Sequence, residues 1–322
     1  MKEISDYSRM VEEAIAAKRY GTMRPSSLYE PVEYGLQKGG KRLRPVMLLM
    51  AGDAFGADTA CLTDAAVGIE MFHNFTLLHD DVMDRSDMRR GRPTVHRRWD
   101  ENTAILSGDT MLTLATSLMR QVPDRCLRGV LETFDAMAVE VYEGQRLDMD
   151  FEERDDVSVE QYLEMIEKKT SALLGASARI GAYIAGASEA DCALMYEYGV
   201  KLGIAFQIQD DYLDLYGDPA TFGKPIGGDV LNGKKTFLTV SALGLGDRVA
   251  DEVRSGMALP ADAEKIEKMR SVYDRAGIPE ICREAIARYS GEAVAALNAT
   301  AISEENRLPL EQLVDRLIHR RK

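Results

Sequence analysis

The sequence predicts an all-α fold, a single-domain bundle of ten or more helices spanning residues 1–322. Three observations carry that prediction. Ala, Leu, Glu and 16 Met dominate over β-formers, with 7% aromatics and one Trp, a composition that favours helix. Apolar residues recur at i, i+3, i+4 and i+7 for several turns, and alternating strand patterns are almost absent. Clusters of Gly, Pro and Asp then stop each periodic run.

In chain order, the first helical run lies in MKEISDYSRMVEEAIAAKRY, which carries charge throughout and has no apolar core, so it is not read as a secretory signal. Breakers follow at residues 21–31, 39–40 and 52–58, with Pro45 placed to open a helix between the last two. Residues 62–83 form a long apolar run, closed by Gly91 to Pro93 after a charged stretch. A break at 121–125 precedes the periodic segments 161–187 and 190–215, and further breaks at 217–233, 244–247 and 256–263 divide the remainder into helices of ordinary length. No linker composition or low-complexity tract interrupts the chain.

Charge and cysteine content narrow the function classes. With 40 Lys+Arg against 53 Asp+Glu the formal charge is −13, a poor partner for nucleic acid. No window approaches the ~20 apolar residues that a membrane span needs. Cys61, Cys126, Cys192 and Cys282 are far apart and form no CxxC pair; they read as reduced core residues of a cytoplasmic protein.

Two of the long helices share one unusual feature. GIEMFHNFTLLHDDVMD and GIAFQIQDDYLD are apolar nearly all round and then present Asp at i, i+1 and i+4: Asp80, Asp81 and Asp84, then Asp210, Asp211 and Asp214. A helix apolar on every side belongs in the interior, so these carboxylates are expected at the mouth of an internal cavity. Two carboxylates ~6 Å apart repel by about 3 kcal/mol at an effective dielectric near 20. Buried acidic triads therefore call for cations. Hard oxygen donors with no Cys select Mg²⁺ over zinc, and Mg²⁺ held by a few carboxylates shares its other positions with water and substrate phosphates.

Basic residues gather beside the triads against the acidic mean. Gly39-Gly40-Lys41-Arg42-Leu43-Arg44-Pro45 puts three cations before a helix start, where backbone N–H groups can also meet an anion. Arg89-Arg90-Gly91-Arg92 follows Asp84 by five residues, and the loop from Lys224 to Lys234 follows Asp214 by ten. That last loop nearly spells a nucleotide P-loop, but Lys235 stands where Ser or Thr should ligate Mg²⁺ and no apolar strand precedes it. His73 lies two turns before Asp80, ~10 Å along the same helix face, and is read as a phosphate donor rather than a core imidazole.

At these residues the chain resembles the trans-isoprenyl diphosphate synthase, or polyprenyl synthetase, family. The resemblance runs in order through GGKRLRP, HNFTLLHDDVMD, DMRRGRPTVH, GQRLD, KKT, FQIQDDYLD and GKPIGGDVLNGKKT. It implies an all-α bundle around a deep central cavity, a homodimer, and head-to-tail condensation of isopentenyl diphosphate with an allylic diphosphate, with three Mg²⁺ per site. It further implies that Lys41, Arg44, His73 and Arg90 hold isopentenyl diphosphate, and that Arg89, Lys169, Thr170, Gln207, Lys224 and Lys234 hold the allylic diphosphate. Asp80, Asp84 and Asp210 are the expected direct metal ligands, with Asp81, Asp211 and Asp214 bound through water or behind them. Gln145 and Asp148 fall in the GQxxD motif, where helix packing is almost as good a reading. The basic end, residues 319–322, is read as a frayed tail.

Ionising an allylic C–O bond makes a carbocation and a diphosphate, so the chemistry asks for metal and basic groups at the leaving group and a weakly nucleophilic wall around the cation. Phe206, the Thr170 hydroxyl and carbonyls near Lys169 are candidates for that wall. Phe75, ~7.5 Å along the helix before Asp80, with the smaller Thr76 beside it, is expected to floor the growing chain. Within the family that the chain resembles, an aromatic at this place with a first triad lacking inserted residues implies a C20 product, geranylgeranyl diphosphate, over C15. A class I terpene cyclase and a non-catalytic synthase subunit are the competing readings. The first takes no second diphosphate, and the second can lose its acidic triads.

Overall fold

In the computed structural model, which describes residues 1–37, 40–218 and 226–318, the periodic runs become α-helices almost from end to end. They are α1 (Ile4–Lys18), α2 (Ser26–Leu36), α3 (Leu43–Ala54), α4 (Thr63–Met83), α5 (Val95–Arg98), α6 (Glu101–Met119), α7 (Asp124–Glu152), α8 (Val159–Ile166), α9 (Ala172–Ala185), α10 (Glu189–Tyr216), α11 (Gly228–Leu231), α12 (Phe237–Leu243), α13 (Asp247–Met257), α14 (Ala263–Arg275), α15 (Ile278–Asn298) and α16 (Glu304–Ile318). The strands among the described residues are β1 (Met88–Arg89) and β2 (Arg92–Pro93), an antiparallel pair. Among the described residues, no helix is long and apolar enough to cross a membrane.

Contacts divide the chain into two compact units. One comprises Met1–Ala136, Ala176–Tyr196 and Thr300–Leu310, and the other Met137–Gly175, Glu197–Ala299 and Glu311–Lys322. In the first unit, α3 is buried without a break from Pro45 to Gly52, and α4 from Ala65 to Phe72. Of the two, α4 is one of the helices whose sequence is apolar nearly all round. Each fully buried Val, Leu, Met or Phe contributes roughly 1.5–3 kcal/mol, so α4 is fixed as a central strut. Phe72 and Phe134 meet edge to face at 5.3 Å and tie α7 to it.

In the second unit, the expected helix over 161–187 is broken. Its α8 segment starts at a Ser158/Gln161 capping box and passes into a single π-turn, Glu167–Ser171, before α9. Gly144 of α7 explains how that turn is accommodated. A Cβ there would collide with the backbone of Lys168 and Lys169, so only glycine lets α7 pass this close. The π-turn widens the helix at Lys169 and Thr170, and such bulges concentrate at functional sites.

Two expectations are corrected. Pro31 was assigned to a breaker but lies inside α2, where its buried ring compensates the hydrogen bond it removes. Cys61 was assigned to the core but is exposed, its thiol donating to Asp58 O at 2.9 Å; the other cysteines are buried, and all four are free.

Candidate active site

Both acidic triads sit at the C-terminal ends of their helices. There the helix dipole already carries negative potential, which disfavours carboxylates by a few tenths to one kcal/mol each unless cations attend them. Within each triad the structure separates the surroundings of the carboxylates. Asp81, 3% exposed, accepts a 2.7 Å hydrogen bond from Arg89 Nε. Burial raises its pKa and the Arg89 guanidinium opposes that. Asp80 is half-buried and Asp84 exposed on the same helix end.

Arg89 is aimed by the hairpin. The two residues between its strands, Arg90 (φ 52) and Gly91 (φ 73), are both left-handed, as a tight two-residue hairpin requires. The buried Thr94 hydroxyl closes the turn by donating to Ser86 O at 2.8 Å. Tyr34 of α2 donates its phenol proton to Pro93 O at 2.7 Å, with the Arg92 and Arg98 guanidinia 4.0 and 4.5 Å from its ring centre and Trp99 packed edge-on at 5.3 Å. The Arg90 guanidinium lies close against Gly40.

The loop before α3 is built around Arg42 rather than around three equivalent cations. Arg42 is left-handed (φ 48) and 3% exposed; it pairs with Glu12 of α1 at 2.7 Å and with Glu70 of α4, and donates to Leu36 O. Its charge is consumed internally, which corrects the expectation that it could face an anion. Lys41 is left exposed, and Arg44 half-buried beside His73. Arg44 Nη1 lies 3.3 Å from His73 Nε2. Arginine has no acceptor, so Nε2 accepts and the ring proton sits on Nδ1. Burial, then Arg44, Arg90, Arg89 and Arg42, push the His73 pKa well below its usual value. In the first unit the structure thus gathers Arg44, His73, Arg89 and Arg90 into one positive cluster around a neutral imidazole.

In the second unit a cavity of about 300 Å³ is lined by Asp148, Tyr162, Lys169, Thr170, Gln207, Asp210, Asp211, Asp214, Asp229 and Lys234 among others. Lys169 of the π-turn pairs with Asp148, so the GQRLD and KKT segments meet there. Asp214 accepts the Asp229 N–H at 3.0 Å, fastening α11 beside the triad, and Lys234 lies 3.6 Å from Asp229. Asp211 is buried. Burial and the nearby Asp229 push its pKa up to about 7, against hydrogen bonds from Tyr162, Phe237 and Gln207.

Lys224 and residues 319–322 lie outside the described residues. Sequence reading missed Tyr162, Glu12 and Glu70, whose partners are distant in the chain; Asp229 carried a signal in the quoted GGD. Phe75 is 6% exposed and packs edge-on against Phe72 at 5.5 Å and His79 at 4.8 Å; the Thr76 hydroxyl donates to its own helix at His73 O.

An all-α scaffold with two acidic helix ends attended by Lys and Arg defines the isoprenoid synthase fold. A solved geranylgeranyl pyrophosphate synthase superposes with a TM-score of 0.94 at 40% identity, covering all of both chains. The chain belongs to the polyprenyl synthetase family, whose pattern it matches over residues 25–276. It is 44% identical over 243 residues to geranylgeranyl diphosphate synthase of Methanosarcina mazei, covering 74% of each chain. To geranylgeranyl pyrophosphate synthase of Geoglobus acetivorans it is 38% identical over 320 residues, covering 98% of each. It is a short-chain trans-isoprenyl diphosphate synthase.

Proposed function

We propose that this prenyltransferase condenses isopentenyl diphosphate head-to-tail with an allylic diphosphate to give the C20 product, geranylgeranyl diphosphate. The observation that carries the reading is the pairing of each acidic helix end with its own basic groups: Arg89 with Asp81, and Lys169 and Lys234 around Asp210 to Asp214. The names of the similar proteins above support the C20 assignment.

The carboxylate sets suit Mg²⁺. Among the described residues no three His, Cys, Asp or Glu side chains converge on one point. The donors offered by Asp80 and Asp84, and by Asp210 and Asp214, are hard oxygens, and Mg²⁺ completes such sets with water and phosphate oxygens. When bound, Mg²⁺ supplies Lewis acidity to the leaving diphosphate. The chain's own groups do the rest. Lys169 and Lys234 neutralise negative charge as the allylic C–O bond lengthens. The Thr170 hydroxyl and the half-buried Phe206 border the carbocation without attacking it. Neutral His73 offers its Nδ1–H to isopentenyl diphosphate beside Arg44, Arg90 and Lys41. The released diphosphate accepts the proton lost after C–C bond formation.

The deciding experiment omits one substrate. With an allylic diphosphate alone the purified chain makes no hydrocarbon and no cyclic product; adding isopentenyl diphosphate yields elongated diphosphates. Cyclised product from the allylic substrate alone would replace the synthase reading with a cyclase.

Phe75 is proposed to set product length. Phe75→Ala removes a ring held by Phe72 and His79, and mass analysis is expected to show products longer by one or more C5 units. Unchanged chain lengths would remove Phe75 from the role. A homodimer is also proposed: Ile105 and Leu106, neighbours on α6, are 42% and 58% exposed, which suits a covered face. The four free cysteines suit a reducing compartment such as the cytoplasm.

A further inference from the structure

The cavity beside α10 contains a polar chain whose far end, Tyr162, no step of the reaction uses. Tyr162 of α8 is 2% exposed, and its phenol donates to Asp211 Oδ2. The same oxygen accepts the N–H of Phe237, the first residue of α12, at 2.9 Å. The other oxygen, Oδ1, accepts from Gln207 Nε2 at 3.0 Å. In this contact the Gln207 amide faces Asp211 with its nitrogen, so its oxygen faces away. That oxygen lies 3.4 Å from the Thr170 hydroxyl, which donates to it. An unbroken sequence of hydrogen bonds therefore runs from α8 through Asp211 and Gln207 to the π-turn.

We propose that Tyr162 is a positioning residue for the allylic diphosphate: by anchoring Asp211 it fixes the Gln207 amide, which in turn holds the Thr170 side chain beside the leaving group. This rests on the reading that Lys169, Thr170 and Gln207 hold that diphosphate. Tyr162 acts through Asp211, to which its hydroxyl is bonded, and not on the substrate. Its ring is held independently of its hydroxyl, packed 6.0 Å from the Phe237 ring, so phenylalanine fills the same space and deletes only the anchor.

The test is a set of steady-state measurements with each substrate varied while the other is saturating. Tyr162→Phe is expected to raise KM for the allylic diphosphate about tenfold, the scale of one lost hydrogen bond to a charged group. KM for isopentenyl diphosphate is expected to stay within twofold. A tyrosine that only packs the core would lower the melting temperature and leave both KM values alike, which overturns the proposal. In Gln207→Ala the allylic KM rises, and adding Tyr162→Phe to it produces no further rise, because the anchor has nothing left to orient. Multiplying effects in the double variant would overturn the route through Gln207. Lys169→Met separates the two ways of failing. If it raises the allylic KM while Tyr162→Phe does not, the cavity binds the diphosphate and Tyr162 does not position it; if neither does, the cavity is not the diphosphate site and the proposal falls with that reading. Should Tyr162→Phe not fold, Asp211→Asn is measured in the same way, with the same selective rise expected and an unchanged allylic KM overturning the proposal.

Discussion

Asp80→Ala and Asp210→Ala each lower turnover on the order of 10³-fold, while far-ultraviolet circular dichroism stays that of the parent. The magnitude follows from the role: removing one pre-organised charge stabiliser costs 10² to 10³ in rate, and a carboxylate whose loss also weakens metal binding lies at the upper end. Stability moves the other way. Each carboxylate sits at the negative end of a helix dipole and repels its own triad, so alanine is neutral or stabilising in metal-free protein by a few tenths to one kcal/mol. A faster-dying activity paired with an unchanged or higher melting temperature separates catalytic carboxylates from structural ones. Chelation of the parent enzyme with EDTA should abolish turnover and added Mg²⁺ restore it. Near-normal rates in either variant would contradict the metal assignment.

Arg42→Ala is expected to be among the most damaging single changes outside the acidic triads. It strands Glu70, whose side chain is 2% exposed, and frees Glu12 and the Leu36 carbonyl. Breaking one side of a buried ion pair costs roughly 3–5 kcal/mol, readable as a shift in the urea midpoint at unchanged slope. Arg42 also sets the backbone between Lys41 and Arg44, so the surviving enzyme should show a raised KM for isopentenyl diphosphate. A midpoint within about 1 kcal/mol of the parent would mean that α1 and α4 hold that loop without the arginine.

The helices were legible because their signal is local. The apolar period of α4 and α10 and the Asp spacing at their ends can be read from neighbouring residues alone, and both helices end within a residue or two of the expected positions. What escaped is non-local. Tyr162 meets Asp211 across 49 positions, and Arg42 meets Glu12 and Glu70 across 30 and 28; no window of sequence contains either pairing. The π-turn escaped for a related reason, since what accommodates it is a glycine of α7, 25 residues upstream of Lys169, that admits the backbone of the turn. The basic loop before α3 was recognised as a charge cluster, but charge alone could not distinguish Arg42, buried between two glutamates, from Arg44, which meets His73.

The Tyr34 cluster gives the molecule an optical property of its own. Trp99 is the one indole in the chain, and it packs on Tyr34 and Arg98 beside the turn that carries Arg89 and Arg90. Its emission therefore reports from a single known place. The protein carries its own built-in lamp at the arginine hairpin, readable without any label.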